Sequence, residues 1–201
     1  MPLAIRCCVW VLLLSPSILR AADGVDAVGR VDIVFREPRL SSRLEAAAMK
    51  EAARIWARYG VNVAMLKAGS RSRDGAVTLT VRIAPGLDGQ TGAGTLGLIH
   101  FRDDVPDSEI VMYPDAIAAL VSTIRFGAFD VFSPSAFRDL ILGRALGRAL
   151  AHEIGHFLLR SRVHSAGGLM RALQPVTALV APDRRDFGLS PDEVIRLRHA
   201  S

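Results

Sequence analysis

Residues 152–170 read HEIGHFLLRSRVHSAGGLM, and this stretch decides how the rest of the chain is read. His152 and His156 lie four apart, so on a helix they stand one above the other on a single face. Two imidazoles so placed both reach one zinc ion at about 2.0–2.1 Å. Glu153, one step round the helix, is badly placed to ligate but well placed to hold a water beside the metal. Metal-assisted hydrolysis needs that combination: a cation that acidifies water, and a carboxylate that takes its proton.

A catalytic zinc site needs a third protein ligand and one open position. The acids that follow Glu153 are Asp183 and Asp186, in an expected loop, and Asp192 and Glu193, at the start of the last helix. His164 is much nearer, eight residues past His156, where the chain has left the helix and can turn back. Three neutral imidazoles also leave the ion its full double charge. The expected set is therefore zinc on His152, His156 and His164, with Glu153 as general base. His100, on a strand, and His199, near the end, are expected bystanders, with His100 the one able to border a cleft.

Upstream, Ser133 and Pro134 announce a long helix that runs to about Leu159. Arg144 and Arg148 continue the histidine face at four-residue steps. Pairing with an acid such as Asp139 is the preferred reading for them over contact with substrate. Further out, RVDIVF (30–35), VNVAML (61–66), AVTLTVRI (76–83), TLGLIHF (95–101) and EIVMYP (109–114) read as strands, with an acidic turn at 102–108. Between the first two, Ser42 and Glu45 form a capping-box pattern. Leu44, Ala48, Ile55, Trp56 and Tyr59 follow at helical spacing, and Gly60 stops the helix. A loop with Phe126, Phe129 and Phe132 precedes the long helix, and Ser190, Pro191 and Glu193 open a last one. Helices packed on a mixed sheet, an α+β arrangement, is the expected class.

Half of the 201 residues are hydrophobic and 22% are charged, enough for one domain with a real core. Residues 1–21 have the layout of a secretory leader: Arg6, the apolar run CCVWVLLL, Pro16, then Ala21 and Ala22. The run is too short to span a bilayer, which takes about 20 apolar residues. Cleavage would leave a single domain, 22–201, secreted or periplasmic and without stable membrane insertion. Cys7 and Cys8 would leave with the leader, so no thiolate remains for a metal. The net charge of +5 would fall to +3, because Arg6 and Arg20 leave and no acid does. That balance is too mild for nucleic acid.

His152, Glu153, His156 and the later Met170 together resemble the metzincin clan of zinc endopeptidases, most of all its matrixin-like branch. GLIHF (97–101) resembles the edge strand on which such enzymes lay an extended substrate, and FGLSPDEVIRLR (187–198) resembles the matrixin terminal helix. The resemblance implies a zincin-like mixed twisted sheet, an active-site helix and a methionine turn with Met170 as an apolar floor. It also implies a peptide or protein substrate bound along 95–101, peptide-bond hydrolysis and a monomeric domain. Segment 171–189 would wall the pocket beyond the scissile bond, with Leu173, Val176, Leu179 and Val180 hinting at an apolar lining. The pattern departs in one place. Leu159 and Arg162 stand where the family has a glycine and its third histidine. His164 takes over the ligand role, and the interval from His156 to Met170 is unchanged. Ala172 stands where some relatives have tyrosine.

Overall fold

β-Branched, alternating runs become the strands of one sheet, and the longer helical patterns pack against it. The computed structural model describes residues 29–36, 39–67, 69–85, 94–124 and 135–199. The expected leader, the Phe126–Phe132 loop and the Ser133–Pro134 helix start lie outside the described residues. The elements in order are β1 (Gly29–Phe35), α1 (Ser42–Ala57), β2 (Val61–Met65), β3 (Ala76–Ile83), β4 (Gly97–Arg102), β5 (Val105–Met112), α2 (Pro114–Ser122), α3 (Ser135–Leu158), α4 (Val176–Val180) and α5 (Pro191–His199). The sheet runs β2-β1-β3-β5-β4, parallel except for β4, which pairs antiparallel with β5 at one edge. This is an α+β chain with a mixed five-stranded sheet and five helices among the described residues.

Four features depart from the sequence reading. The acidic 102–108 segment is mostly strand. Its turn shrinks to Asp103 and Asp104, both left-handed at φ 48° and 62°, the geometry that joins a two-residue hairpin and that Asp tolerates. Pro114–Ser122 is helical, with Pro114 at its first turn and Ile117 and Val121 turned inward at i, i+4. α4 is a further short helix inside the expected wall segment. The cap of α1 is Ser41, whose hydroxyl accepts from the Leu44 amide at 3.2 Å, one residue earlier than the Ser42–Glu45 pattern suggests.

β1 lies inside the sheet, and Val31, Asp32 and Ile33 are all buried there. A buried carboxylate needs partners. Asp32 accepts from the Ser72 hydroxyl at 2.8 Å, the Arg73 amide at 2.9 Å and Arg73 Nε at 2.7 Å. Burial opposes its charge, yet these bonds together hold its pKa below the ordinary value. α1 and α3 approach closely because Gly143 and Gly147 present no side chain to Ala47, Ala48 and Glu51. A Cβ on Gly147 would sit 2.6 Å from that of Glu51. Trp56, fully buried, donates its indole N–H to the Ala151 carbonyl at 3.1 Å, one residue before His152. The helix that carries the histidines is thus anchored in the core where the site begins.

Candidate metal centre

α3 ends at Leu158, and the next twelve residues fold back under its last turn. The Ser161 amide bonds the His156 carbonyl at 3.2 Å, and Arg160 makes the reversal at φ 47°. The reversal therefore uses a left-handed residue, one position after Leu159. For a non-glycine residue that conformation costs about 1–2 kcal/mol. The return is held by the Ser165 amide on the Met170 carbonyl at 2.9 Å and the Leu169 amide on the Gly188 carbonyl at 2.8 Å. Gly168, at φ 76°, lies against the Gly188 carbonyl with no room for a Cβ.

This fold-back brings His164 to the two helical histidines. One ring nitrogen from each of His152, His156 and His164 lies within 4.8 Å of the others. The ring centroids are 4.7 Å (152–156), 5.2 Å (152–164) and 4.9 Å (156–164) apart. His156 is buried, His152 partly buried and His164 exposed, so the cluster opens to solvent on the His164 side.

Hydrogen bonds set the tautomers. His152 Nδ1 meets the Leu169 carbonyl at 2.8 Å, and His156 Nδ1 meets the Ser161 carbonyl at 2.6 Å. A carbonyl only accepts, so both Nδ1 atoms carry the proton and both Nε2 lone pairs are free. Those two Nε2 atoms stand 3.0 Å apart. A bridging proton would make one ring an imidazolium, which burial opposes. His152 is pulled down to about 4 by burial first and then by the charge of His156 and His164, against the Leu169 bond. Burial likewise lowers His156, against its bond to Ser161. At neutral pH two facing lone pairs remain, a donor set suited to a cation. Three imidazole nitrogens without a thiolate fit zinc.

Glu153 is buried beside them, with no hydrogen-bond partner recorded for it among the described residues, and burial pushes its carboxyl up to about 8. Its Cγ lies 3.1 Å from where a Cβ on Gly97 would stand, so the glycine of β4 makes room for this carboxyl. Sequence reasoning did not single out Gly97. Met170 is fully buried, and its sulfur packs directly on Gly155, between the two helical histidines.

A cleft of about 590 Å³ runs along β4 and over the histidines, Glu153 included. Among the described residues β4 pairs with β5 alone, leaving its other edge unpaired there. His100 lines the cleft but is outside the cluster, and His199 is on α5, away from it. Of the four apolar residues expected in the wall, Leu173 and Leu179 line the cleft; Val176 and Val180 do not.

Arg148 does pair with an acid, as expected, though not with the one named as an example. Its partner is Glu51 of α1, at 3.0 Å, not Asp139, which faces Arg43 at 3.9 Å. Arg148 is fully buried. It also donates to the Ala178 and Asp183 carbonyls and lies 4.6 Å over the Phe187 ring. Arg184 reaches the other Glu51 oxygen at 2.5 Å. These contacts clamp segment 178–187 onto α3. Arg144 bonds the Val180 carbonyl at 2.6 Å. Glu51 is far from α3 in sequence, and no local pattern marks it as the partner.

Glu193 likewise does more than cap. It closes the expected capping box, accepting from the Ser190 amide at 2.7 Å while its own amide reaches the Ser190 hydroxyl at 3.3 Å. Its second oxygen accepts from the Ser165 hydroxyl, next to His164. Neither a scan of protein-family models nor a search of curated proteins finds a match to this chain.

Proposed function

We propose that the chain is an exported zinc endopeptidase with a metzincin-like, matrixin-like fold. The ligands are His152, His156 and His164, Glu153 is the general base, and Met170 is the floor of a methionine turn. The observation that carries this reading is the convergence of three imidazole nitrogens, two with their lone pairs oriented by backbone carbonyls, beside a buried carboxyl in an open cleft.

Zinc, when bound, supplies Lewis-acid polarisation of the scissile carbonyl and makes water acidic enough to attack near neutral pH. The chain's own residues do the rest. The free edge of β4 lays out the peptide backbone as an added strand. Glu153 accepts the proton of the attacking water and returns it to the departing amine nitrogen. A site kept only to hold metal has no use for that carboxyl, and this favours an enzyme over a zinc-holding scaffold.

The test pairs two variants of purified protein. His164→Ala lowers zinc affinity by more than the 10–100-fold typical of lost outer partners, measured by chelator competition. Glu153→Gln keeps zinc and loses peptide hydrolysis. Full zinc occupancy in His164→Ala, or undiminished hydrolysis in Glu153→Gln, refutes the assignment.

A further inference from the structure

Resting on that peptidase reading, we propose that the cleft selects peptides carrying acidic side chains flanking the bond opposite the histidines, with Arg162 and Arg171 as the selecting residues. The charged side chains lining the cleft among the described residues are Arg148, Glu153, Arg162 and Arg171. Arg148 is excluded as a contact, because it is fully buried and each of its nitrogens already donates, to Glu51, Ala178 and Asp183. Glu153 belongs to the chemistry. Two cations remain on the cleft lining, Arg162 and Arg171.

Arg162 stands at one end of β4, its guanidinium 5.0 Å over the Phe101 ring. Its ion-pair partner is Asp104, at 3.5 Å and 94% exposed, a contact of the kind worth about 0–1 kcal/mol and readily exchanged. Arg171 pairs with Ser165, the neighbour of His164, and opens the wall whose Leu173 Cδ2 is 3.3 Å from the position of a Cβ on Gly94. Arg171 is exposed and has no ion pair among the described residues. From Gly97, against Glu153, to Phe101 is four residue steps, roughly 13 Å of extended chain. A peptide paired along β4 therefore passes Arg162 within about four residues of its central bond, and meets Arg171 where the wall leaves the histidine loop.

Three quenched-fluorescent octapeptides with one apolar centre, flanked by Glu, Gln or Lys, test this on the zinc-loaded protein. Two exposed ion pairs favour the Glu peptide over the Gln peptide by about 3- to 20-fold in kcat/KM. The preference shrinks with added salt. The double variant Arg162→Glu/Arg171→Glu loses it and turns toward the Lys peptide. Fluorescence anisotropy on zinc-loaded Glu153→Gln gives the same ranking as a binding constant, independent of turnover. Ranked binding without cleavage by the parent keeps this inference and sinks the peptidase reading. Cleavage indifferent to flanking charge does the reverse. Equal treatment of the three peptides by parent and double variant, or binding of none, overturns the inference.

Discussion

Zinc binding should drive a proton off Glu153. Burial holds the metal-free carboxyl at about 8, so at pH 7 roughly nine-tenths of it is protonated. Ionising it there costs about 1.4 kcal/mol. That is small beside the roughly 4 kcal/mol that a single nearby positive charge returns at an effective dielectric of 20, and zinc carries two. Binding at pH 7 therefore releases about 0.9 proton from this residue, and at pH 8.5 about a quarter. Zinc affinity rises with pH through this window, since the proton lost is one the metal-free site holds. Isothermal titration in buffers of different ionisation enthalpy, on the parent and on Glu153→Gln, isolates the difference at each pH. The sign for stability is opposite without metal. The folded pKa lies above the ordinary 4.5, so this residue's contribution is complete below pH 4.5 and is lost as pH rises to 8, up to about 5 kcal/mol. Metal-free Glu153→Gln should then outlast the parent in urea at pH 8. A parent-minus-variant proton release near zero at pH 7, or unchanged between pH 7 and 8.5, refutes the argument.

Other substitutions probe the scaffold. Glu51→Gln leaves the Arg148 charge buried without its carboxylate and should destabilise by about 3–5 kcal/mol in denaturant melts; a loss below 1 kcal/mol would show that the two carbonyls suffice. Arg160→Gly relieves the left-handed turn at some cost in unfolded-chain entropy, for a net gain of about 0.5 kcal/mol; a loss of stability would mean the arginine side chain holds the turn. Gly155→Ala drives a methyl into the Met170 sulfur and should cost about 1–3 kcal/mol and weaken zinc binding together; unchanged zinc affinity would separate the floor from the site.

What was legible in the sequence was what depends on local spacing. The i, i+4 histidines, the Ser190–Glu193 box, the stripe of α1 and four of the five strand centres follow from periods of 3.6 and 2. The turn between β4 and β5 was legible but its length was not, because Pro106 and the acids mask the alternation in the first half of β5. α2 carried a signal in its N-terminal proline and inward Ile117 and Val121, but nine residues make a weak pattern. Contacts distant in sequence left no trace at all. Glu51 answers Arg148 across 97 residues, and Glu193 reaches Ser165 across 28. Gly97 matters only because α3 sets Glu153 against it.

The third histidine ties these strands of argument together, because its position is not set by the helix that carries the other two. His164 lies on an exposed return, and what holds that return comes from the far end of the chain. Ser165 is tied to Glu193 of α5, Leu169 to Gly188, and Leu189 to the Tyr59 hydroxyl at 2.6 Å. Tyr59 in turn packs edge-on against Trp56, which bonds α3 at Ala151. A closed circuit runs from α1 through α5 to the histidine loop and back to the histidine helix. Such a circuit explains how a histidine eight residues past the helical pair arrives beside it. Both ends of the loop are fixed by contacts that do not involve the histidine.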